Sequence, residues 1–469
     1  MHTIYNCAKN FLLITILLTA TVSCKKSFLE VKPKGRVIAS KTTDYNLLLN
    51  NLDLINIATD GHILMGDEVT VTDPYWTGAT FREKQLFKWE PEIYGANEDA
   101  KETLVPTKDL YIYNKIIEEV MKSTGGSDET KKSLQAEAYA GRAWTYFLLI
   151  NYYGKPYDPA TAATDPGFPL ITNADVNNSD YRRATVQQIY DLIISDLTTA
   201  IPNLSSAGVP HRIRMSKAAA QGLLAKVYIF MGKFDEALPL LDESIGNLPQ
   251  SAVPTLLVDY NTAYPGSPTA PNDPENVYAK NIFNNYTATS NSLLWLTPET
   301  AALYSATDVR LTKWFSSKTF PNGLKLIKRI TGYSTYFGVR TSDLYLLRAE
   351  VKARLDDLEG AVNELQNFRQ HRMPAADATI PANTAAAKLP LLQFIMEERI
   401  REFAVQGYRW FDMRRLSVDP LFKGATYQHL AYTEAGDIKE TFALNAPNRF
   451  VFRIPPKILA ENPNMSDNP

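Results

Sequence analysis

The chain has very few of the residues on which disulfide frameworks depend. Only two of its 469 residues are cysteines, Cys7 and Cys24, and both lie in the first 24 positions. If the segment before Cys24 is removed, one cysteine remains and no internal disulfide can form. Such a chain must rely on a hydrophobic core, and 469 residues with 45% hydrophobic side chains are enough to build a large one.

An excess of charge of either sign is also absent. Lys and Arg together number 49 against 51 Asp and Glu, which gives a net charge of -2. Nucleic-acid binding needs a strongly basic face, so the balance predicts no nucleic-acid partner. It also argues against attachment to an anionic membrane through a polybasic surface.

The common catalytic and metal-binding motifs are missing. The sequence contains no HExxH, GxxxxGK[ST] or GxSxG string and no CxxC pairing, and its five histidines are scattered. We therefore predict no catalytic residues, no cofactor and no metal site. One metal stays open, a calcium ion held by loop carboxylates such as Asp67 and Asp73.

The amino terminus carries a targeting signal. The apolar run Phe11–Ala20 is too short to span a bilayer, which takes roughly 20 residues, but has the length of a secretory signal core. Thr21-Val-Ser-Cys24 follows directly and resembles a lipobox, although Leu is usual where this chain has Thr21. We predict that residues 1–23 are a lipoprotein signal peptide and that Cys24 is lipidated. The alternative is a simple secretory signal with an incidental cysteine.

Hydrophobic periodicity predicts several helices in the remaining chain. Thr185 is a suitable N-cap for one of them, and Gly154 to Pro156 should end another. The predicted helical segments are Leu134–Tyr153, Thr185–Ile201, Ser216–Leu248 with a break at Gly232, Ser342–Arg372, and one long helix over Leu389–Leu416.

Two of these segments resemble each other. Ala225, Ala237 and Leu241 match Ala349, Ala361 and Leu365 in spacing, with Gly232 opposite Asp356 at the turn. Small residues where two helices cross, a tight turn and a second helix facing back are typical of tetratricopeptide-like hairpins. Two unrelated hairpins remain the alternative. We expect such hairpins near residues 134–157, 185–248 and 342–416.

Long irregular stretches separate the helices, chiefly within residues 53–100 and 249–340. Loops of this length are usually functional or disordered. The predicted fold class is therefore mainly α, a tetratricopeptide-like helical hairpin scaffold with long irregular loop insertions. We predict that residues 24–469 form a single domain and that the two insertions carry the ligand loops.

An ordered series of motifs covers nearly the whole chain after Cys24. The most specific block is Glu397–Arg415, which reads E-E-R-x-R-E, then G-Y-R-W-F-D-M-R-R, with Gln406 where Glu is usual. The other motifs follow in order at Phe28–Glu30, Tyr111–Ile117, Arg142–Phe147, Tyr153–Pro156, Phe168–Leu170, Asp308–Arg310, Arg340–Glu350 and Arg453–Pro456. In order and spacing, these segments resemble the SusD/RagB family, and Tyr111–Ile117 resembles the family's first core helix.

That resemblance implies a function. It implies a non-catalytic lipoprotein anchored in the outer membrane of a Bacteroidetes-type bacterium and facing outside. Such a protein captures an oligosaccharide, or in some members a peptide, and closes a SusC-like TonB-dependent transporter as a lid. Two other classes stay open: a surface-anchored glycoside hydrolase, and a tetratricopeptide-like scaffold that binds only protein.

A glycan site needs aromatic faces that stack on sugar rings, with amides, carboxylates or arginines beside them for the hydroxyl groups. The first candidate segment contains Asp73, Tyr75 and Trp76. The second contains Asn285, Tyr286 and Trp295, and the third contains Trp314, Tyr333 and Tyr336. For every ring, the alternative is that it simply packs in the core.

Acidic residues admit a catalytic interpretation as well. Glu92, Glu98 and the pair Asp67 and Glu68 could serve a glycosidase, which needs two carboxyl groups facing one bond. The charges of Glu397–Arg415 instead alternate in sign at helical spacings, such as Glu397 to Arg401 and Glu398 to Arg401. We interpret this cluster as a structural ion-pair network.

Overall fold

Helices form most of the structure because apolar side chains recur at helical spacing along the chain. The computed structural model describes residues 39–57, 60–175, 180–205, 211–250, 254–262, 272–282, 293–330 and 336–469. Within these ranges the α-helices are α1 Thr42–Leu49, α2 Gly61–Leu64, α3 Tyr75–Gly78, α4 Phe81–Phe87, α5 Lys101–Glu119, α6 Asp128–Tyr153, α7 Val186–Ala200, α8 Lys217–Phe230, α9 Phe234–Gly246, α10 Pro298–Ala302, α11 Val309–Trp314, α12 Thr341–Arg354, α13 Leu358–Gln370, α14 Ala382–Ala385, α15 Lys388–Phe403, α16 Tyr408–Ser417 and α17 Pro456–Glu461.

Short strands lie between the helices. They are β1 Val69–Thr72, β2 Pro166–Pro169, β3 Arg183–Thr185, β4 Asn276–Tyr278, β5 Leu294–Leu296, β6 Phe315–Thr319, β7 Lys325–Arg329, β8 Val339–Arg340, β9 Gln428–Tyr432 and β10 Ile438–Ala443. Six of them form one sheet in the order β10-β9-β1-β5-β7-β6, and β2-β3 and β4-β8 form two pairs. Residues Lys41–Pro469 make one compact unit, and the fold is mainly α, as predicted.

The two hairpins that resemble each other in sequence have the same turn geometry. Helices α8 and α9 pack together, as do α12 and α13, and α9 also packs on α12. Gly232 has a φ of 73° and Asp356 a φ of 65°, so both turns place one residue in the left-handed region. The matched alanines and leucines of both hairpins are fully buried. The repeat is therefore real at the level of backbone and packing.

The helix predicted over Leu389–Leu416 is in fact two helices, α15 and α16. The break falls at residues 404–407, where Val405 has a φ of 59° and Gly407 a φ of 86°. Left-handed backbone cannot continue a right-handed helix. Gly407 also lies against the ring of His62, so a side chain at this position would collide with it.

The segment 134–157 is not a hairpin by itself. Helix α6 ends at Tyr153, and the chain then passes through the β2-β3 pair before it enters α7. Helix α7 is the partner that packs on α6. Its start matches the prediction, because the Thr185 hydroxyl accepts a hydrogen bond from Gln188 N, and Gln188 Oε1 accepts one from Thr185 N.

The insertions are not irregular throughout, because both contribute strands to the six-stranded sheet. Strand β1 comes from residues 53–100, and β5, β6 and β7 come from residues 249–340. β1 pairs with β5 in antiparallel register, with Thr70 opposite Trp295, and with β9 in parallel register. Val69 and Val71 belong to the main core, while Trp295 packs with Phe320 in a separate cluster.

Buried ion pairs tie the helices together, which confirms the structural interpretation of the charged block. Arg310 and Arg372 are fully buried, and both donate to Glu402, at 2.9 Å. Glu398 pairs with Arg401 at 2.8 Å, as its spacing predicts, whereas no ion pair joins Glu397 to Arg401. We call the set Asp308, Arg310, Arg372, Glu275, Glu398 and Glu402 the arginine network.

A second buried group of charges lies on the same helices. Arg399 donates to Asp343 and Asp412, each at 2.8 Å, and Arg415 joins Asp412 to Glu350. Although burial opposes ionisation, the arginines beside Asp412 hold the pKa of that carboxyl well below its ordinary value.

In the part of the chain that the structure describes, no helix has the length and hydrophobicity of a membrane span.

Candidate functional site

Two of the predicted ligand-binding rings are packed inside the protein. Trp76 is only 3% exposed and packs against both Phe87 and Phe442, with ring centroids 5.1 and 6.0 Å away. Trp295 is 4% exposed and packs edge-on against Phe320. Neither indole presents a free face, so the expectation of stacking on a sugar does not fit these two side chains.

Tyr75 is placed differently, with 53% of its surface exposed. The chain leaves β1 at Thr72, and Asp73 N donates to Tyr432 O of the neighbouring strand. Helix α3 begins immediately afterwards, which turns Tyr75 outward and Trp76 inward because successive helical residues point about 100° apart. The two adjacent rings therefore have opposite environments.

Polar side chains next to Tyr75 in the sequence are held in place by one another and by Lys439. Lys439, from β10, donates to Asp73 Oδ2 at 2.7 Å and to Thr77 Oγ1 at 3.1 Å. The Thr77 hydroxyl donates to Asp73 Oδ1 at 2.7 Å. Burial alone would raise the pKa of Asp73, but the hydrogen bonds from Lys439 and Thr77 lower it below its ordinary value. The carboxylate therefore stays ionised. We call Asp73, Tyr75, Thr77 and Lys439 the Tyr75 surface.

The remaining predicted aromatic residues offer no second surface within the described ranges. Asn285, Tyr286 and Tyr333 lie outside the described residues. Trp314 is buried against Tyr260, and Tyr336 is buried with Arg340 above its ring.

The carboxylates considered for calcium are bound to cations of the chain itself. Asp67 pairs with Arg409, and Asp73 pairs with Lys439. Within the described ranges no group of three His, Cys, Asp or Glu side chains is arranged to hold a metal ion. The electrostatic role that a cation would have is thus taken by an arginine at one position and a lysine at the other.

The carboxylates considered for glycosidase chemistry are placed separately. Glu92 is an exposed partner of Arg453 at 3.4 Å, and Glu98 accepts from Gly95 N at 3.1 Å. Glu68 is fully buried and forms no ion pair with a described residue, although the backbone N–H groups of Glu68 itself and of Val405 approach its carboxyl group. Burial, together with the charge of Asp67, raises the pKa of Glu68 to about 8.

A groove of about 740 Å³ lies along α5 and was not predicted. Its walls are α5, the segment after β2, and the C-terminal residues around α17. Tyr111 is 39% exposed on this wall, although its motif resembles the first core helix of the family. A periodic stripe at Leu104, Lys108 and Tyr111 was the available signal. We call this feature the Tyr111 groove.

The Tyr111 groove has an apolar floor and a charged rim. The floor is formed mainly by Ile171, Ile454, Ile458 and Met465, and the exposed side chains of Leu104 and Tyr111 lie at its edge. The rim carries Glu98, Asp99, Lys108, Asp175, Lys457 and Glu461, and Lys457 pairs with Asp99 at 2.6 Å. A smaller hollow of about 400 Å³ adjoins it and shares Ile454 and Pro455.

Family models account for nearly all of the described chain. One model, described as "Starch-binding associating with outer membrane", matches residues 27–229. A second, described as "SusD family", matches residues 256–469. The chain belongs to the SusD/RagB family. The motif residues Arg310, Arg399 and Asp412 of this SusD-family chain lie in its buried ion pairs.

Individual relatives agree with this membership. A SusD-like protein of Formosa agariphila is 22% identical over 350 residues, which are 60% of this chain and 65% of the relative. The match thus spans slightly less than two thirds of that relative's length.

Solved structures show the same SusD fold. A SusD superfamily protein of Bacteroides thetaiotaomicron has a TM-score of 0.72 at 17% identity and covers 92% of this chain and 100% of its own. A SusD-like carbohydrate binding protein of Bacteroides vulgatus has a TM-score of 0.69 at 17% identity, and the match covers 91% of this chain and 98% of that protein's chain. At these identities the likeness establishes the fold.

Proposed function

We propose that this SusD-family protein is a non-catalytic lipoprotein that binds glycans at the surface of the outer membrane, with the Tyr75 surface as a contact for the sugar. Its family supports the class of function, since one matching model is described as starch-binding. The observation that carries the site is an exposed tyrosine within two residues of Asp73 and Thr77, which Lys439 holds in place by hydrogen bonds.

The Tyr75 surface has the chemistry that sugar binding requires. A tyrosine face can stack on the apolar side of a sugar ring, and its hydroxyl can bind at the edge. The Asp73 carboxylate accepts hydrogen bonds from sugar hydroxyls, while the Lys439 ammonium donates them. Because Asp73, Thr77 and Lys439 already hold one another in place, little conformational entropy is lost on binding.

The proposed cellular role includes an anchor and a partner. Residues 1–23 would be removed as the signal peptide and Cys24 would carry the lipid, leaving residues 24–469 outside the cell as one domain. The protein would deliver captured oligosaccharide to a SusC-like TonB-dependent transporter. The matching model described as "associating with outer membrane" supports this location.

The positions of the acidic residues support binding without catalysis. A glycosidase needs one carboxyl group as acid and a second within several Å as base or nucleophile. Asp67 is held by Arg409, and the buried Glu68 cannot reach a substrate in this structure. Glu92 and Glu98 have partners of their own in Arg453 and the backbone.

The test is a calorimetric titration of the purified protein against a panel of plant, host and microbial oligosaccharides. Tyr75→Ala should weaken the best ligand about tenfold, since stacking on one ring contributes about 0.5–1.5 kcal/mol beyond the area that it buries. Tyr111→Ala is the matched control, because it removes another exposed tyrosine far along the chain, and it should leave glycan affinity unchanged.

Three results would count against the proposal. Release of new reducing ends in the same samples would indicate a hydrolase. Binding that survives Tyr75→Ala would remove the sugar contact from this surface. Absence of binding to every glycan would favour a peptide-cargo binder or a protein-binding scaffold.

A further inference from the structure

The Tyr111 groove follows a face of α5 that no other described element covers. Its lining from the N-cap Ala100 and from this helix is Ala100, Thr103, Leu104, Thr107, Lys108, Tyr111 and Ile112, which is the i, i+3, i+4 pattern of a single helical face. From Ala100 to Ile112 the groove is about 18 Å long at 1.5 Å per residue. An extended chain rises about 3.3 Å per residue, so the groove accommodates about five residues of peptide.

The lining suits apolar side chains better than sugars. Sugar sites use aromatic faces and many polar groups, whereas the floor here is aliphatic, with Ile171, Ile454, Ile458 and Met465. A volume of about 740 Å³ is within the usual range for a binding cleft, about 300–1,000 Å³. Alternating aliphatic side chains of an extended peptide would fill such a floor.

Exposed apolar side chains continue along the edge of the groove. Leu104 is 42% exposed and Tyr111 39%, and Leu170, which lies between the lining residues Pro169 and Ile171, is 40% exposed. Large apolar side chains that are exposed together mark protein, membrane or ligand-binding sites. Their position along an elongated groove suits an extended segment of a protein, whose apolar side chains would cover them.

The charges on the rim select the flanks of that segment. Apart from Asp175, which has an interaction of its own, three carboxylates, Glu98, Asp99 and Glu461, face two ammonium groups, Lys108 and Lys457. The ion pair between Lys457 and Asp99 neutralises one ammonium group and one carboxylate. The remaining excess of negative charge is complementary to a segment that carries Lys or Arg beside its apolar residues.

We propose that the Tyr111 groove is a docking site for an extended segment of a partner protein, about five residues long, apolar at its centre and basic at its flanks. The groove and the Tyr75 surface share no residue, so docking and glycan binding would be separate functions. The proposal does not depend on glycan binding.

The test selects a random linear heptapeptide library on the immobilised protein and rejects peptides that also bind a Leu104→Asp, Tyr111→Ala double variant. Both side chains are largely exposed, so the variant should fold, and circular dichroism and its thermal midpoint verify this. We expect enrichment of apolar sequences flanked by Lys or Arg. The best enriched peptide, made synthetically, should bind at least tenfold more weakly to the double variant in fluorescence anisotropy.

Further variants separate this proposal from the glycan site. Tyr75→Ala should bind the peptide as the wild type does, and Glu461→Lys should weaken a basic peptide, with the difference shrinking at high salt. No enrichment, or enrichment of acidic sequences, would overturn the proposal. Loss of glycan binding in Tyr111→Ala would also overturn it, because the groove would then be a sugar site. Self-association of the protein that is lost in the same variant would overturn it as well.

Discussion

Glu68 should make the stability of this protein fall as the pH rises. The residue precedes β1, is fully buried and forms no ion pair with a described residue, and the backbone N–H groups of Glu68 and Val405 that approach its carboxyl group do not outweigh the effect of burial. Burial raises its pKa from 4.5 to about 8, and the charge of Asp67 adds to the effect. At neutral pH the folded protein therefore keeps Glu68 protonated, while the unfolded chain ionises it.

The size of the effect follows from proton linkage. Below pH 4.5 both states hold the proton, and above pH 8 neither state does. Between these values unfolding releases a proton, so each pH unit lowers the free energy of unfolding by about 1.4 kcal/mol. The whole window is worth about 5 kcal/mol. In Glu68→Gln the new side chain has the shape of the protonated acid but does not titrate. The pH dependence that Glu68 gives to the free energy of unfolding is therefore absent in this variant.

The assay is guanidinium unfolding of the wild type and Glu68→Gln at pH 5, 6, 7 and 8. With each rise in pH, the free energy of unfolding of the variant should increase relative to that of the wild type. The contributions of other titrating groups are the same in both proteins and cancel in this comparison. Glu434→Gln, in the exposed turn between β9 and β10, is the control and should run parallel to the wild type. A constant difference between Glu68→Gln and wild type from pH 5 to pH 8 would refute the reasoning.

Three further substitutions test the scaffold by the same unfolding measurement. Arg372→Met leaves Glu275 and Glu402 buried without their shared cation and should lower stability by about 3–5 kcal/mol; a loss below 1 kcal/mol would mean that the arginine network is not needed. Gly232→Ala meets no neighbouring atom, so only left-handed strain of about 1–2 kcal/mol is expected. Gly407→Ala adds a collision with the ring of His62 to the same strain and should lose clearly more than Gly232→Ala; equal losses would contradict the predicted clash.

The helical hairpins could be predicted because their signals are local. Gly232 and Asp356 align in the sequence repeat, and both adopt the left-handed turn that joins two helices. The break between α15 and α16 had a weaker signal. Gly407 alone did not reveal it, because the left-handed φ of Val405 depends on packing against distant residues.

The six-stranded sheet could not be predicted from local pattern. Its strands contain only three to six residues, and β1 reads simply Val-Thr-Val-Thr. The pairing of Thr70 with Trp295 joins residues from two different insertions. Strands this short acquire their identity from neighbours that sequence proximity does not supply.

The candidate site was predicted in part. The segment around Asp73 was located from its aromatic and polar composition, but composition cannot tell which of two adjacent rings faces solvent. Helix α3 directs Trp76 inward and leaves Tyr75 outside. The Tyr111 groove was missed because α5 resembled a core helix, and only the packing around it shows which face stays uncovered.

The position of β1 at the middle of its sheet has a consequence for how the chain folds. The Thr70 hydroxyl donates to the carbonyl of Leu430, 360 positions later, and β5 pairs on its other side. The α8–α9 and α12–α13 hairpins can form as soon as their own residues are available. The centre of the sheet must wait for nearly the entire chain, and contacts between such distant segments form slowly. We therefore expect the hairpins to fold early and β1 to be among the last elements to find its partners.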